Sequence, residues 1–510
     1  PSIPGRKTPW TFKHPKTAKN MIKEYIHANY DSVIGWGTGR YYTQCYGELR
    51  DKLGVDITYL IDNNPERWGN KFEGKEVYPP EILKKENPDK TLIIIFSMFY
   101  KEIKEQISKY GNFDVVEGEE LFQIKESLEN GERHILNEYE KRQDIIITIS
   151  RNNYLHNLGG TSKFIREQKL VLDKHNYINL HIYWREYKIE GFNGLMLSVV
   201  KNGKSIGLYK LEDFFGEVKN IRAIIVHNLT YLDLEVFEEI CKLVKHKTNI
   251  LYYLHDFSSV CENIKLMYND DCYCAAYEEN WGICSTCKYR ERRKEIFEFH
   301  KRLIINYDIK FIAPSESTKT IFCKSYNILS DRVRVIPHLT YKLIENNKIK
   351  KDKLRIAYVG SQSKFKGWEI FKKIFELFKD KYEFYCLGSG AEIIPGIKYC
   401  DVSLIKDGEN AMVVELMKNS IDISFLWSIW PETYSYTYYE SFAAGSFVIT
   451  NNLSGNIADQ VRNNKNGIVL EDYSELIDLL SNEDYLSYLV ENNKYRIDNI
   501  EKNNEFLVLI

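Results

Sequence analysis

Three charged residues in the last third of the chain have types and positions suited to binding a ligand with a diphosphate and hydroxyl groups: Lys366, Glu432 and Glu440. Lys366 directly precedes Gly367 at the predicted start of a helix, where an ammonium group can neutralise a departing pyrophosphate. Glu432 falls in a predicted loop and Glu440 in the following helix, so their carboxylates can reach different parts of one ligand. Carboxylates accept hydrogen bonds well from sugar and ribose hydroxyls, since each has two oxygens and no competing donor.

Paired glycines and a strand-end histidine in the middle of the chain are further candidates. Gly159 and Gly160 follow a predicted strand and precede an amphipathic helix, so backbone amides can approach a diphosphate there. In doubly wound sheets, ligands bind at the carboxyl ends of strands, where loops enter helices. His255, followed by Asp256, ends another strand and is the candidate for a polar contact with a reacting sugar. His227 is expected to be structural.

The N-terminal part of the chain offers a separate candidate nucleotide site. Gly35, Gly37 and Gly39 follow a predicted strand, and Asp62 ends the next strand, where its carboxylate could meet a ribose. The spacing is Gly-x-Gly-x-Gly and not the full dinucleotide fingerprint. A docking domain with a vestigial loop therefore stays open as the alternative.

Five of the ten cysteines fall within 27 residues, beginning at Cys261. Four of them form two short pairs, Cys272 with Cys274 and Cys284 with Cys287. Four thiolates in two short pairs can surround Zn²⁺ tetrahedrally and stabilise a long loop. We predict a structural zinc site there, with disulfides, an iron–sulfur cluster or free thiols as alternatives. A catalytic zinc is not expected, because four cysteines leave no open coordination position.

Parallel sheets are needed to position these loops, and the hydrophobic periodicity predicts them. Short β-branched runs alternate with longer amphipathic stretches, the pattern of α/β proteins with doubly wound sheets. The predicted units are 1–143, 144–344 with a cysteine-rich insertion at 261–290, and 345–510. The charged stretch from Lys342 to Lys353 is predicted to be a solvated linker. Lys201-Asn202-Gly203-Lys204 is predicted to be a hairpin turn.

Composition excludes several classes of function. The 510 residues carry 70 Lys and Arg against 72 Asp and Glu, so no broad basic field for nucleic acid exists. The longest apolar run, Leu92 to Phe96, is far shorter than the roughly 20 residues that span a bilayer. The N-terminal residues include neither Met nor an apolar leader, so export by a signal peptide is not expected. A cytoplasmic protein is expected, with peripheral contact at the inner face of the membrane left open.

From residue 145 to about 480, the sequence resembles retaining glycosyltransferases of glycosyltransferase family 4. The resemblance implies the GT-B architecture, with two Rossmann-like domains facing a cleft, here preceded by a third, smaller Rossmann-like domain. That first domain, over about 30–120, resembles the small nucleotide-binding-like domain at the front of sugar acyltransferases and other surface-glycan enzymes. The matching elements are the Gly159-Gly160 loop, His255-Asp256, Ile312-Ala313-Pro314-Ser315, Val335-Ile336-Pro337, Lys366-Gly367, Glu432-x7-Glu440, Asn466-Gly467 and Leu470.

The resemblance implies a nucleotide-diphosphate sugar as donor. Glu440 would bind the ribose diol, Glu432 the sugar hydroxyls, and Lys366 the departing diphosphate, assisted by the glycine amides. The other implied donor-binding residues are Gly360, Ser361, Thr433, Tyr434 and Ser435. Ser361 stands where the family has arginine, so diphosphate neutralisation depends more heavily on Lys366, with Lys364 as a second candidate. Thr433 and Ser435 replace glycines, which affects the shape of the sugar pocket.

The implied reaction retains the anomeric configuration, with the leaving phosphate taking the acceptor proton. His255 would position the donor sugar, and neither a general base nor a catalytic metal is expected. The implied acceptor is a glycan, a lipid-linked glycan or a glycoprotein, in surface polysaccharide or glycoconjugate synthesis. Two alternatives stay open: an NAD-dependent oxidoreductase built on the Rossmann-like units, and a non-enzymatic protein that binds through a cysteine knuckle.

Overall fold

The computed structural model describes residues 18–97, 100–130, 134–155, 159–189, 192–244, 248–275, 281–346, 351–388, 390, 392–402, 408 and 410–510. The chain divides into two compact units. The first runs to Ile224 and includes Tyr231–Thr248, and the second comprises Ile225–Thr230 and Asn249–Ile510. Among the described residues, no helix combines the length and the apolarity needed to cross a membrane.

The first unit begins with a six-stranded sheet of order β3-β4-β2-β1-β5-β6. Its strands are β1 Ser32–Trp36, β2 Tyr59–Ile61, β3 Lys71–Phe72, β4 Lys75–Tyr78, β5 Thr91–Ile95 and β6 Asp114–Glu117. All neighbouring strands are parallel except β3 and β4. Its helices are Ala18–Asn29, Arg40–Glu48, Tyr100–Ser108 and Gly118–Asn130. The central strand β5 is buried along its whole length, as expected for a parallel strand covered on both faces.

The first unit continues with strands in the order β10-β9-β8-β7-β11. They are β7 Ile145–Ile149, β8 Ile178–Ile189, β9 Phe192–Lys201, β10 Lys204–Tyr209 and β11 Ile221–Val226, within which the first unit ends. The accompanying helices are Gly160–Lys174, Leu211–Glu217 and Leu234–Val244. The hairpin turn predicted at Lys201–Lys204 is confirmed, with Asn202 and Gly203 both at positive φ.

The second unit contains the three parallel strands β12 Asn249–Tyr253, β15 Ile309–Ala313 and β16 Val333–Val335. A short hairpin of β13 Met267–Tyr268 and β14 Cys272–Tyr273 precedes β15 in the chain. The helices of this part are Trp281–Cys284, Arg290–Asn306 and Glu316–Tyr326. The hairpin and the first of these helices belong to the cysteine-rich insertion.

A fully parallel six-stranded sheet of order β20-β19-β18-β21-β22-β23 forms the rest of the second unit. Its strands are β18 Arg355–Val359, β19 Glu383–Gly388, β20 Ile397–Asp401, β21 Ile423–Phe425, β22 Phe447–Asn451 and β23 Gly467–Leu470. Its helices are Trp368–Phe378, Ala411–Lys418, Tyr436–Ala443, Asn456–Asn464, Tyr473–Ser481 and Glu483–Glu491. The predicted α/β class with Rossmann-like sheets is therefore confirmed.

One predicted connection is wrong in part. The stretch from Lys342 to Lys353, predicted to be a solvated linker, begins inside β17 Leu339–Glu345, which pairs antiparallel with β24 Tyr495–Lys502. Residues 347–350 of this stretch lie outside the described residues. Apolar residues between the charges allow this strand to be half buried, although its charges are exposed. Sequence periodicity alone missed the strand because its partner lies about 150 residues later in the chain.

Candidate active site

An ion pair between Lys366 and Glu432 forms the centre of the candidate site. The Lys366 Nζ atom lies 3.2 Å from a Glu432 carboxylate oxygen, Oε1. The lysine side chain is 36% exposed and the glutamate side chain only 7% exposed, so one face of the pair is open to a ligand. Both residues follow neighbouring parallel strands, β18 and β21, at the edge of the sheet where ligands bind in doubly wound folds.

Backbone geometry explains the glycine that follows Lys366. Gly367 has φ +83°, a conformation that L side chains rarely adopt, and it caps the helix Trp368–Phe378. A Cβ atom added there would lie 2.3 Å from the carbonyl oxygen of Trp427. The loop therefore packs directly against the backbone of the segment that leads to Glu432, which brings the lysine to its partner.

We expect Gly367→Ala to destabilise the second unit by about 2–5 kcal/mol, because backbone strain and an unavoidable clash add. Gly408→Ala is the matched control, since Gly408 also has positive φ (+87°) but has no atom within 4 Å of an added Cβ. Scanning calorimetry measures both variants. An equal loss in the two would mean that close packing against Trp427 contributes nothing.

The loop that carries Glu432 is fixed by backbone contacts with a second loop. The residue pairs in a parallel bridge with Gly455, and its carbonyl accepts a hydrogen bond from the Asn456 amide at 2.9 Å. The Ser428 hydroxyl donates to Glu432 Oε1 at 3.4 Å. These contacts hold a buried carboxylate in one position, which pre-organises it to receive ligand hydroxyls.

The three residues after Glu432 are buried and have protein partners. The Thr433 hydroxyl donates to the carbonyl oxygen of His255 at 2.5 Å. The Tyr434 ring lies 4.2 Å from the His338 ring, measured between centroids. Ser435 donates its amide to Asn456 Oδ1 at 3.4 Å and precedes the helix Tyr436–Ala443. The Thr433 hydroxyl and the Ser435 amide are thus used within the protein, and the predicted donor-binding role of the three residues stays a prediction.

The two remaining predicted donor residues near β18, and the second glutamate, lie on exposed or half-buried surface. Gly360 ends β18 with φ +120°, and Ser361, after it, is exposed. Glu440 is half buried in the helix Tyr436–Ala443. Their predicted donor-binding role stays a prediction.

His255 lies in a stack of rings at the end of β12. Its Nε2 atom is 2.9 Å from Nδ1 of His227, and its ring stacks on Tyr253 with the planes 7° apart. Burial lowers the pKa of His255 to about 3, so its imidazole is neutral at physiological pH. The adjacent Asp256 accepts hydrogen bonds from Asn228 Nδ2 and from a backbone amide instead. His255 can therefore offer a hydrogen bond but no positive charge.

A second lysine, missed in the sequence analysis, lies beside the Lys366 loop. The Nζ atom of Lys265, in the cysteine-rich insertion, is 4.8 Å from the centroid of the Phe365 ring. Burial lowers the pKa of Lys265, and the charges of Glu432 and Lys366 are near enough to affect it. In the described parts of the chain, the ammonium group has no carboxylate within ion-pair distance. No motif marks this lysine, because its position depends on how the insertion packs.

The other candidate cation, Lys364, already has a partner in the insertion. Its Nζ atom lies 2.7 Å from Asp271 Oδ1. Both side chains are at least half exposed, so this pair is worth little on its own. Its geometric consequence is larger: together with the Lys265–Phe365 contact, it joins the insertion to the lysine loop at two points.

The prediction of a structural zinc site is not supported. All ten cysteines lie in described segments and are free thiols, and the described residues contain no group of three or more side chains that could hold a metal ion. Cys272 is exposed on β14, Cys274 and Cys287 are half buried, and Cys284 is buried. The Cys284 sulfur accepts a hydrogen bond from the buried Arg293 guanidinium at 2.8 Å, so a cation already lies against it.

The glycine pair predicted to assist the diphosphate belongs to the first unit. Gly159 caps the helix Gly160–Lys174, and both glycines are exposed. Amides at the first turn of a helix of this length suit an anion. The predicted contact of these glycines with the diphosphate stays a prediction.

The N-terminal glycine loop borders a cavity of about 450 Å³. Gly37 has φ +105°, whereas Gly35 faces the core, where an added Cβ would meet the Leu60 side chain at 2.6 Å. The Asp62 carboxylate accepts hydrogen bonds from the amide and the hydroxyl of Thr38 and from the Asn64 amide. Asp62 therefore stabilises its own loop, and a ribose would have to compete with these donors.

Gly39, the third glycine of that loop, caps the helix Arg40–Glu48 without a side-chain cap. An added Cβ would meet no atom within 4 Å there. Gly39 lines the cavity, whereas the amides of Gly37 and Thr38 already donate to the Ile61 carbonyl and to Asp62. The predicted nucleotide site stays a prediction.

Comparison with known proteins identifies two parts of the chain. Residues 341–496 match the family described as Glycosyl transferases group 1, and residues 29–114 match the family described as C2185-like, N-terminal. No curated protein matches the chain. The first match covers the six-stranded sheet with Lys366, Glu432 and Glu440, and the second covers the N-terminal sheet.

Solved structures similar to the chain include three that cover about two thirds of it. Sucrose-phosphate synthase from Thermosynechococcus elongatus has a TM-score of 0.43 and 11% identity, over 69% of this chain and 93% of that one. HepE of Anabaena in complex with UDP-glucose has a TM-score of 0.41 and 11% identity, over 68% and 93%. The catalytic domain of starch synthase IV from Arabidopsis thaliana, bound to ADP and acarbose, has 0.40 and 10%, over 68% and 94%.

The match to glycosyl transferases group 1 covers the central residues of the candidate active site. The lysine loop, the buried glutamate and the following helix all lie within it. Residues 341–496 are therefore similar to the family of glycosyl transferases group 1, and this similarity supports a glycosyltransferase.

Proposed function

We propose that this protein transfers a sugar from a nucleotide-diphosphate donor to a glycan acceptor and retains the anomeric configuration. The observation that carries the proposal is the ion pair of Lys366 and Glu432, 3.2 Å apart at the ends of neighbouring parallel strands. A cation beside a buried carboxylate suits a ligand that is anionic at one end and bears hydroxyls at the other.

Each part of the donor has a candidate group. Glu432 accepts hydrogen bonds from sugar hydroxyls, and Glu440 accepts them from the ribose diol. Lys366 exchanges its contact with Glu432 for the diphosphate oxygens when the donor binds. Lys265 supplies a second positive charge, which matters because Ser361 stands where the resembling family has arginine.

The proposed chemistry needs little from the protein beyond positioning and charge. The bond from the anomeric carbon to the diphosphate oxygen breaks, and the acceptor oxygen bonds to the same face of that carbon. The acceptor proton passes to the departing phosphate oxygen. Negative charge grows on the diphosphate as it leaves, and nearby ammonium groups stabilise that charge most in the transition state. His255, neutral through burial, contributes a hydrogen bond at most.

The proposed setting is the assembly of a surface polysaccharide or glycoconjugate, with a hexosyl or deoxyhexosyl group as the sugar transferred. The acceptor is a glycan, a lipid-linked glycan or a glycoprotein. We place the reaction in the cytoplasm, since ten free thiols with no disulfide among them are typical of a reducing compartment.

A thermal-shift panel of UDP-, GDP- and dTDP-sugars tests the donor class. At a concentration of about 100 Kd, the true donor should stabilise the protein by about 2.7 kcal/mol. The shift should vanish in Glu440→Gln, and the hit should then be hydrolysed slowly in the absence of acceptor. Stabilisation by NAD but by no nucleotide sugar would favour the oxidoreductase alternative and contradict the proposal.

A further inference from the structure

The first unit contains a cavity of about 230 Å³ that none of the predicted site residues lines. Residues at the ends of β6 and β7, in β8 and after β11 meet there, so both sheets of the unit contribute to it. The residues that matter for its chemistry are Tyr100, Glu117, Glu120, Arg151, Arg185 and Tyr231. Glu117 ends β6, Arg151 follows β7 and Tyr231 follows β11, so part of the wall comes from strand ends, where ligands bind in parallel sheets.

Two buried carboxylates on the wall have unused hydrogen-bonding capacity. Glu117 and Glu120 are each only 8% exposed. Glu120 Oε2 accepts the Glu117 amide at 3.0 Å, whereas the Glu117 carboxylate has only a loose ion pair with Arg185 Nε at 3.8 Å. Within the described residues, no hydrogen bond reaches the Glu117 carboxylate. A buried carboxylate in this state is costly, and a ligand with hydroxyl donors would satisfy it.

Two guanidinium groups also line the cavity, one of them fixed by backbone carbonyls and the other without such contacts in the described residues. Arg185 donates to the carbonyl oxygens of Trp184 and Arg151, at 2.9 and 2.6 Å, which holds its plane in place. The Arg151 side chain is half buried and has no hydrogen bond or ion pair within the described segments. Its charge is near enough to Glu117 to affect the pKa of that carboxyl. Both arginines can donate to ligand oxygens across the cavity.

Two tyrosines complete the wall, and one of them has a strained backbone. Tyr231 has φ +65°, which is rare for a bulky residue, and its hydroxyl donates to Glu102 at 3.2 Å. Strain of this kind persists where the surrounding structure requires it, and it concentrates at binding sites. Tyr100 supplies a second ring. Aromatic faces beside carboxylates and guanidinium groups suit the apolar face of a sugar ring.

The balance of charge selects the class of ligand. Three acidic and three basic residues line the cavity: Glu117, Glu120, Glu186, Lys104, Arg151 and Arg185. With both signs present, neither an anion nor a cation is clearly favoured, whereas a neutral polyhydroxyl compound can donate to the acidic groups and accept from the basic ones. Burial and the charge of Glu117 raise the pKa of Glu120 to about 8, so at neutral pH it offers a donor next to an acceptor. The volume is below the roughly 300–1,000 Å³ of pockets for drug-sized ligands, which leaves room for one ring.

We propose that this cavity binds one neutral sugar ring of the acceptor glycan. The inference rests on the proposed transferase function only for the identification of the sugar as acceptor, since binding itself needs no donor. It gives the N-terminal domain a function in acceptor recognition, because Tyr100, Glu117 and Glu120 belong to that part of the chain.

Ligand-observed NMR on the full chain tests the inference with methyl glycosides of glucose, galactose, mannose and N-acetylglucosamine as probes. At least one probe should give a saturable signal. Glu117→Gln and Arg151→Gln should each weaken its binding about 10- to 100-fold, the loss typical of a charged hydrogen-bond partner. Arg151→Gln removes no hydrogen bond among the described residues, so we expect this variant to fold. It therefore still tests the cavity if Glu117→Gln does not fold.

Two controls separate this inference from the proposed function. Glu105→Gln, an identical change at an exposed site on a neighbouring helix, should leave binding unchanged. Glu440→Gln should abolish donor binding but leave the glycoside signal intact. A glycoside signal without any nucleotide-sugar binding would overturn the transferase proposal and not the sugar site. Absence of any glycoside signal, or a signal unaffected by both cavity variants, would overturn the sugar site alone.

Discussion

Replacing Lys366 with alanine should lower kcat for sugar transfer about 100- to 1,000-fold while changing donor affinity less than tenfold. The charge on the diphosphate grows as the glycosidic bond breaks, so an ammonium group beside it stabilises the transition state more than the bound donor. Lys366 lies 3.2 Å from Glu432 and is 36% exposed, which leaves it free to turn towards a diphosphate. Single-turnover kinetics and calorimetric titration of the donor measure the two quantities separately.

Two variants make the result specific. Lys364→Ala, in the same turn but paired with the exposed Asp271, should change kcat little. Lys366→Ala also leaves the buried Glu432 without its cation, which could destabilise the loop. The double variant Lys366→Ala with Glu432→Gln removes that unpaired charge, so any stability it recovers is due to the buried carboxylate. The kcat comparison uses only the two single lysine variants, because Glu432 belongs to the proposed site. Equal losses in affinity and kcat would contradict a transition-state role.

Sequence periodicity predicted the central strands of the six-stranded sheet closely, because those strands are buried on both faces. Apolar periodicity predicts a strand at Phe447–Thr450, and β22 runs from Phe447 to Asn451. The edge strand Ile397–Asp401 was missed, since apolar and polar residues mix within it and its burial is partial. Periodicity thus finds strands whose surroundings are uniformly apolar and misses those at a boundary.

The zinc site predicted from the cysteine spacing is not supported, for a related reason. Spacing fixes how far apart two thiols lie along the chain, whereas a metal site requires that their side chains converge. Cys272 lies in a strand that exposes it, and Cys284 lies buried against Arg293. The order of residues contains no information on either orientation.

The glycine loops show that a glycine motif alone does not identify a ligand site. Gly367 and Gly37 both have positive φ, a conformation that favours glycine. Gly35 packs against Leu60, and the carboxylate of Asp62 accepts hydrogen bonds from its own loop. The same residue types can therefore build a ligand loop or a self-contained turn, and only the partners of each side chain distinguish them.

Lys265 could not be predicted as a site residue from the sequence, because about 100 positions separate it from the lysine loop. Its charge is placed by the contact with Phe365, and no pattern in the chain encodes that contact. In the resembling family an arginine follows the glycine that ends the first strand of the domain, and Ser361 is found here instead. A cation from the insertion would replace it at the same ligand.

Lys265→Met should therefore lower kcat/KM for the donor about 10- to 100-fold and leave the folded state as stable as before. Methionine keeps most of the apolar contact with Phe365 and removes only the charge, and the ammonium group has no ion pair within the described residues to lose. Lys265→Arg should keep most of the activity, since charge and reach are preserved. Steady-state kinetics with varied donor, together with thermal unfolding, measure these effects.

A rescue variant distinguishes electrostatic action on the ligand from a structural role in the insertion. Ser361 is exposed beside the end of β18, so Ser361→Arg can place a guanidinium near the diphosphate without displacing core residues. In the Lys265→Met background, this change should restore at least about tenfold of the lost kcat/KM, because a positive charge returns to the ligand from a different element. If Lys265 served only to hold the insertion in place, an arginine on another loop would not restore kcat/KM. Unchanged kinetics in Lys265→Met, or a loss that Ser361→Arg leaves untouched, would contradict the second cation.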